Sequence, residues 1–174
     1  MCEIADRWRR LAEACLSKGA SEEIVIEPGT GADAAGLLAM HYNAAKPATV
    51  VRVLRARDGR DGSLAGVLLV SMPTLRGSWR ATAWPEEREI LSVRRHAAAW
   101  LNRRVRTISR VVVAPQWRGL GIARRLVRAY LDDPVTDRTE AVAGMGAICP
   151  CFEQAGMRPV AVARSSSRAL NHCL

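Results

Sequence analysis

Residues 106–131, RTISRVVVAPQWRGLGIARRLVRAYL, constrain the fold more than any other stretch. A β-branched run, read as the strand VRTISRVVV, passes through a turn with two glycines into an arginine-rich amphipathic stretch. Leu120, Ala123, Leu126, Val127 and Tyr130 supply the apolar face of that helix. The turn is not a phosphate loop of the G-K-[S/T] type, because no such residues follow its glycines. Nor is it a dinucleotide fingerprint, since the third glycine would fall at Arg124. Glycines allow positive φ and close backbone approach, and the N–H groups then point outward at the positive end of a helix. Such a turn suits an anion, a pyrophosphate included, with Arg118, Arg124 and Arg125 adding contacts. The alternative is a turn whose glycines only relieve packing.

The rest of the chain alternates helices and strands. Residues 3–18 carry Ile4, Trp8, Leu11, Cys15 and Leu16 at helical spacing, and EEIVIEP reads as a short strand. Thr30 and Asp33 stand in capping-box register at the head of a helix over residues 31–43, which Pro47 ends. TVVRVLRA and GSLAGVLLVSM form a hairpin across RDGRDG. Residues 76–84 look irregular. Pro85, Glu86 and Glu87 then start a helix whose buried stripe is Ile90, Val93, Ala97 and Trp100, with Arg94, Arg95, Arg103 and Arg104 solvated. TEAVAGM, a short helix around CPCFEQAG, and MRPVAVAR complete the chain. This order is α+β, a mixed central sheet flanked by helices. We expect one domain over residues 1–174, with an N-terminal helix at 1–20, a helical insertion at 76–104 and a core at 105–163.

A chain of 174 residues with 49% hydrophobic residues can bury a core of its own. No apolar run approaches the roughly 20 residues that span a bilayer. The opening MCEIADRWRR lacks the apolar centre of a secretory signal, so a cytoplasmic protein is expected. The net charge of +9 is almost wholly arginine, as Lys18 and Lys46 are the only lysines. Arginine grips phosphate bidentately, which suits a phosphate-rich ligand or nucleic acid; a GC-rich genome would enrich arginine with no ligand at all. Five scattered cysteines do not make a disulfide framework, and Cys149-x-Cys151 lacks the second pair that zinc needs.

RVVVAPQWRGLGIARRLV resembles the acyl-CoA-binding motif of the GNAT N-acetyltransferase superfamily, R/Q-x-x-G-x-G/A after a strand, with Arg118, Gly121 and Ala123 in the motif positions. CPCFEQAGMRPV is similar to that family's later Y-E-x-x-G-F signature. The likeness covers roughly residues 50–163 and is strongest over 105–131. It implies a splayed strand pair and acetyl-CoA as acyl donor. The coenzyme A pyrophosphate would lie on the loop and helix start formed by Arg118, Gly119, Leu120, Gly121, Ile122 and Ala123, with Arg124 beside it. The pantetheine arm would run along Val111 and Val113. An amine acceptor, small molecule or macromolecule, would attack the thioester directly, its oxyanion held by a backbone N–H. Trp117, beside the loop, would either cover the adenine or pack against the helix.

The acid and base depart from the family pattern. Its thiolate-protonating tyrosine falls at Phe152, so Cys149, Cys151 or a water would have to serve. No glutamate lies on VRTISRVVV; Glu140 on the next strand is either the base or a surface acid flanking a helix. His41 and Tyr42 in MHYNAAKP supply a group titrating near neutrality and a proton donor, unless His41 only extends the apolar stripe of Leu37. A His-Tyr pair before the hairpin, with a later ISR strand, also resembles the Mom-type DNA-modification branch of this fold. That branch would make a nucleic acid the partner. A non-catalytic acyl-CoA-binding module is the third reading.

Overall fold

A computed structural model describes residues 23–38, 47, 49–143, 150–160 and 171–173, the last three in backbone only. The N-terminal helix expected at 3–18, the end of the helix expected over 31–43, and His41, Tyr42 and Cys149 lie outside those residues.

The expected hairpin forms, with strands β2 (Val50–Asp58) and β3 (Leu64–Ser71) antiparallel across the Asp-Gly turn. β1 (Ile24–Pro28) pairs on the outer edge of β2, and β4 (Val105–Val113) on the inner edge of β3. β5 (Arg138–Ala143) runs parallel to β4. Beyond it come β6 (Pro159–Val160) and β7 (Asn171–Cys173), so that the described residues form a sheet in the order β1-β2-β3-β4-β5-β7-β6. β7, which no sequence pattern announced, inserts between β5 and β6.

Two helices cover opposite faces. A Cβ on Gly66 would meet Leu126 Cδ1 at 3.3 Å and Ile122 Cγ2 at 3.4 Å, so that side of β3 lies under α5 (Ile122–Asp132). The neighbouring Val67 points the other way, as does its cross-strand partner Arg55. Arg55 donates to Asp33 of α1 (Gly31–Leu38), so α1 lies on the opposite face. Between them Val67, Leu68, Val70, Leu126 and Val127 are wholly buried, each worth roughly 1.5–3 kcal/mol where the side chain is large. Gly66 is small because the helix must come close.

The capping box at α1 forms as expected. Asp33 accepts from Thr30 N–H and Oγ–H, both at 2.8 Å, and Arg55 bridges it to Glu27 on β1. Burial alone pushes the Asp33 carboxyl up, but the hydrogen bonds from Thr30 and Arg55 outweigh it and hold it below its ordinary value. A depressed carboxyl stabilises the fold above its unfolded pKa, and that contribution drains away as pH falls through the folded one. Asp33→Asn should therefore flatten the fall in melting temperature between about pH 5 and about pH 3. An unchanged slope in thermal unfolding would place the acid sensitivity elsewhere.

The segment between β3 and β4 departs from expectation twice. Residues 76–84 contain a short helix, α2 (Arg80–Ala83), where irregular chain was expected. The single helix expected after Pro85 is a 3-10 turn followed by α3 (Arg88–Ser92) and α4 (Arg94–Arg104), broken at Val93 with extended backbone (φ −98°, ψ 107°). The break shifts the stripe: Ala97 and Trp100 are buried, but Ile90 and Val93 are 39% and 43% exposed. The cause is α4's junction with β4. Arg104 passes straight into Val105, so Leu101 and Val105 must share one core and set the phase of α4. That core also holds Ala83, Trp84 and Val160, with the Trp84 and Trp100 rings tilted at 5.6 Å. Among the described residues no helix is long and apolar enough to cross a membrane.

Candidate functional site

The parallel pair β4–β5 does not run its full length. Register holds from Val105↔Arg138 to Ile108↔Ala141 and then stops, while β4 continues to Val113. β5 continues to Ala143 with β7 paired on its far edge, so among the described residues no strand pairs with this side of β4 over 109–113, and a wedge opens there. Ala114 N–H donates to Ala65 O on β3 at 2.9 Å. Alternation then turns the N–H and C=O groups of Val113 and Val111 the other way, into the wedge. Arg118 confirms the direction, since its Nε donates to Val113 O at 3.1 Å from the open side. A strand edge of this kind, without a strand partner among the described residues, is a template for an extended ligand.

At the top of the wedge stands the glycine turn. Gly119 and Gly121 adopt φ of +85° and +73°, and Gly121 is the N-cap of α5 without any side-chain cap. The helix's first backbone bond runs from Arg125 N–H to Gly121 O at 3.0 Å, which leaves the N–H groups of Ile122, Ala123 and Arg124 without an intrahelical partner. No acidic residue stands in the first turn. A Cβ on Gly119 would meet nothing within 4 Å, so the cradle above the turn is open. Such an end attracts an anion.

The remaining expected contacts divide. Ile122 is buried, so only its backbone faces the turn, and Leu120 is half-buried against the core. Arg124 is exposed beside Gly121. Arg125 instead reaches back to Ile24 O at 2.7 Å and points away from the turn. Trp117 is buried in the core, the packing alternative of the two. Arg124, Arg128 and Gln154, with Ile26, line a cleft of about 420 Å³ on the outer side of α5.

Cys151 opens the short helix α6 (Cys151–Gln154) and is half-buried; Phe152 packs against the core under α5. Glu140 is neither exposed nor beside a helix on the surface, which corrects that alternative. It is 1% exposed and faces the inserted helices. Its Oε2 accepts from Trp79 Nε1 at 3.0 Å and Arg80 Nε at 2.9 Å; its Oε1 accepts from Arg80 Nη2 at 2.5 Å and Thr107 Oγ1 at 2.9 Å. A carboxylate offers about four lone-pair positions, and all four are taken.

Beside this cluster β4 bulges. Leu69 pairs with Arg110 and Val70 with Ile108, so Ser109 is the extra residue, at the point where the wedge begins. Sequence reasoning missed Ser109, Thr107, Trp79 and Arg80. The first was signalled by Ser109-Arg110, two successive polar residues that break strand alternation; the last by an arginine set between Trp79 and Trp84.

A family model described as the acetyltransferase (GNAT) family matches residues 42–157. Among solved structures, the chain is similar to mosquito arylalkylamine N-acetyltransferase-like 5b, with TM-score 0.54 and 13% identity over 86% of this chain and 98% of that one. It is also similar to a protein described as an acetyltransferase from Deinococcus radiodurans R1, with TM-score 0.50 and 13% identity over 87% and 92% of the two chains. At such identities the likeness shows the fold alone. No curated protein matches the chain.

Proposed function

The chain belongs to the acetyltransferase (GNAT) family, and from that premise we propose that it transfers an acetyl or short acyl group from acetyl-CoA to an amine acceptor. The observation that carries the reading is the wedge, a β4 edge with no strand partner beyond Ile108 among the described residues, leading up to an uncapped helix start. The residues present fit the donor. The free N–H groups from Ile122 to Arg124, with Gly119 and Gly121 leaving the approach open, suit its pyrophosphate, and Arg118 and Arg124 supply charge. Val111 and Val113 offer backbone groups to the amides of the pantetheine arm. Arg118 must first release Val113 O, and a phosphate is the stronger acceptor for a guanidinium.

Bound acetyl-CoA supplies an activated thioester. The chain's part is to align it with the amine, worth several kcal/mol of barrier, and to direct a backbone N–H near the Ser109 bulge at the developing oxyanion. Glu140, with its acceptor positions filled, is poorly suited to take the amine proton. His41 and Tyr42 are our candidates for proton transfer at the acceptor end, and Cys151 for protonating the leaving thiolate.

Calorimetric titration of coenzyme A and acetyl-CoA, followed by thiol release with a panel of amines that includes arylalkylamines and peptide amino termini, tests the reading. Micromolar binding and acceptor-dependent thiol release are expected. Binding without turnover would favour the non-catalytic module. Neither binding nor turnover would sink the proposal. A nucleic-acid acceptor is the second reading, supported by α4, whose sequence RRHAAAWLNRR holds no acid and exposes Arg94, Arg95 and Arg103. It calls for binding that weakens steeply with salt.

A further inference from the structure

We propose that Glu140 is a positioning residue, which ties β4 and β5 to the inserted helices one pair below where the strands part and so fixes where the wedge begins. The proposal rests on the acyl-transfer reading and adds to it the part that sets the depth of the acyl group.

Ser71, Thr107 and Glu140 stand abreast on β3, β4 and β5, joined by the register Ser71↔Thr107 and Thr107↔Glu140. They share the face opposite α5. One residue further along, Ile108↔Ala141 is the last pair before the strands part. The row is cross-linked. Ser109 Oγ donates to Leu69 O at 3.1 Å, so its single proton is spent and Ser71 must donate to Ser109 Oγ across 2.8 Å. Thr107 donates to Glu140, and Glu140 takes both arms of Arg80 and the indole N–H of Trp79.

The consequence is mechanical. Two strands whose pairing ends part-way along need a stop, or the parting would move down the ladder pair by pair. Backbone bonds alone are weak stops at a fraying end. Here a charged fork, 2% exposed, meets a carboxylate, 1% exposed, one pair below the parting. Arg80 belongs to α2 and Trp79 caps it, so the insertion holds both strands through a single side chain. A wedge that started one pair lower would move the Ser109 bulge, and any oxyanion donor near it, relative to the incoming thioester. Displacement of that kind lowers the rate of the chemical step and leaves the pyrophosphate turn unchanged, since that turn lies at the other end of the wedge.

Thr107→Val keeps the shape of the side chain, removes one donor to Glu140 and leaves the Arg80 pair intact. We expect kcat to fall about tenfold while KM for acetyl-CoA and the affinity for coenzyme A stay within about twofold. Hydrogen exchange at the amides of Ser109 and Ala141 should rise about tenfold with little change in melting temperature. Thr107→Ser, which restores the hydroxyl, should return all of these to wild-type values. Should Thr107→Val fold poorly, Arg80→Lys replaces it, keeping the charge and losing the fork. Unchanged kcat and unchanged exchange would overturn the proposal, as would a loss that Thr107→Ser does not repair. If the wild-type chain transfers no acyl group to any amine, the functional reading fails instead, and exchange at Ser109 alone decides for or against the clamp.

Discussion

Gly121→Asn is expected to lower coenzyme A affinity by about 100-fold, near 2.7 kcal/mol, while leaving the fold nearly intact. The two demands on this position separate by physical reasoning. Its φ of +73° and ψ of 9° lie in the left-handed region, where asparagine is tolerated and β-branched residues are not. Space is not the constraint in the free protein, because a Cβ there would meet only Arg124 Nη2 at 3.8 Å. If the glycine serves the turn alone, asparagine should behave almost as wild type in both stability and binding. If it serves close approach of a pyrophosphate to the N–H groups of Ile122 to Arg124, asparagine should fold and fail to bind. Gly121→Val should lose binding as well and cost roughly 1–2 kcal/mol of stability from backbone strain. Calorimetry with coenzyme A and thermal unfolding of both variants decide it. Retained affinity in Gly121→Asn would remove the turn from the donor site.

The turn itself was legible because everything that makes it is local. β-branched residues, two glycines and a 3.6-residue apolar period sit within about 25 consecutive positions, where spacing reports structure directly. The same holds for the hairpin and for the Thr30–Asp33 box. What could not be read is what the chain assembles across distance. β7 enters between β5 and β6, and the pairing of β5 with β4 ends after four residue pairs to open the wedge. Val93 breaks a helix that its own apolar period would have continued, because the junction of α4 with β4 overrides the local pattern. Glu140 lies 60 residues from Arg80, and alternation in TEAVAG could not say whether its inward side met solvent or a guanidinium. The glycine turn could thus be found from sequence, whereas the residues that shape the wedge could not.

Arg80→Met should destabilise the protein more than any other single change considered, by roughly 3–5 kcal/mol, because it strands a carboxylate in the interior. For a chain of this length that is a fall in melting temperature on the order of 10 °C. The pair as a whole contributes far less than this figure suggests. Desolvation of both ions offsets most of their attraction, so Arg80→Met with Glu140→Leu should recover the greater part of the loss. Recovery will be incomplete, since the half-buried Trp79 Nε1 and Thr107 Oγ1 then lose Glu140 as acceptor. The comparison that makes the claim testable is Arg104→Met. Arg104 also pairs with a carboxylate, Asp137, but both side chains are 48% exposed, and a pair so placed is worth about 0–1 kcal/mol. Thermal unfolding of the two single variants should separate them widely. Equal losses would mean that water reaches Glu140 when Arg80 is removed, and the wedge would then have no rigid stop.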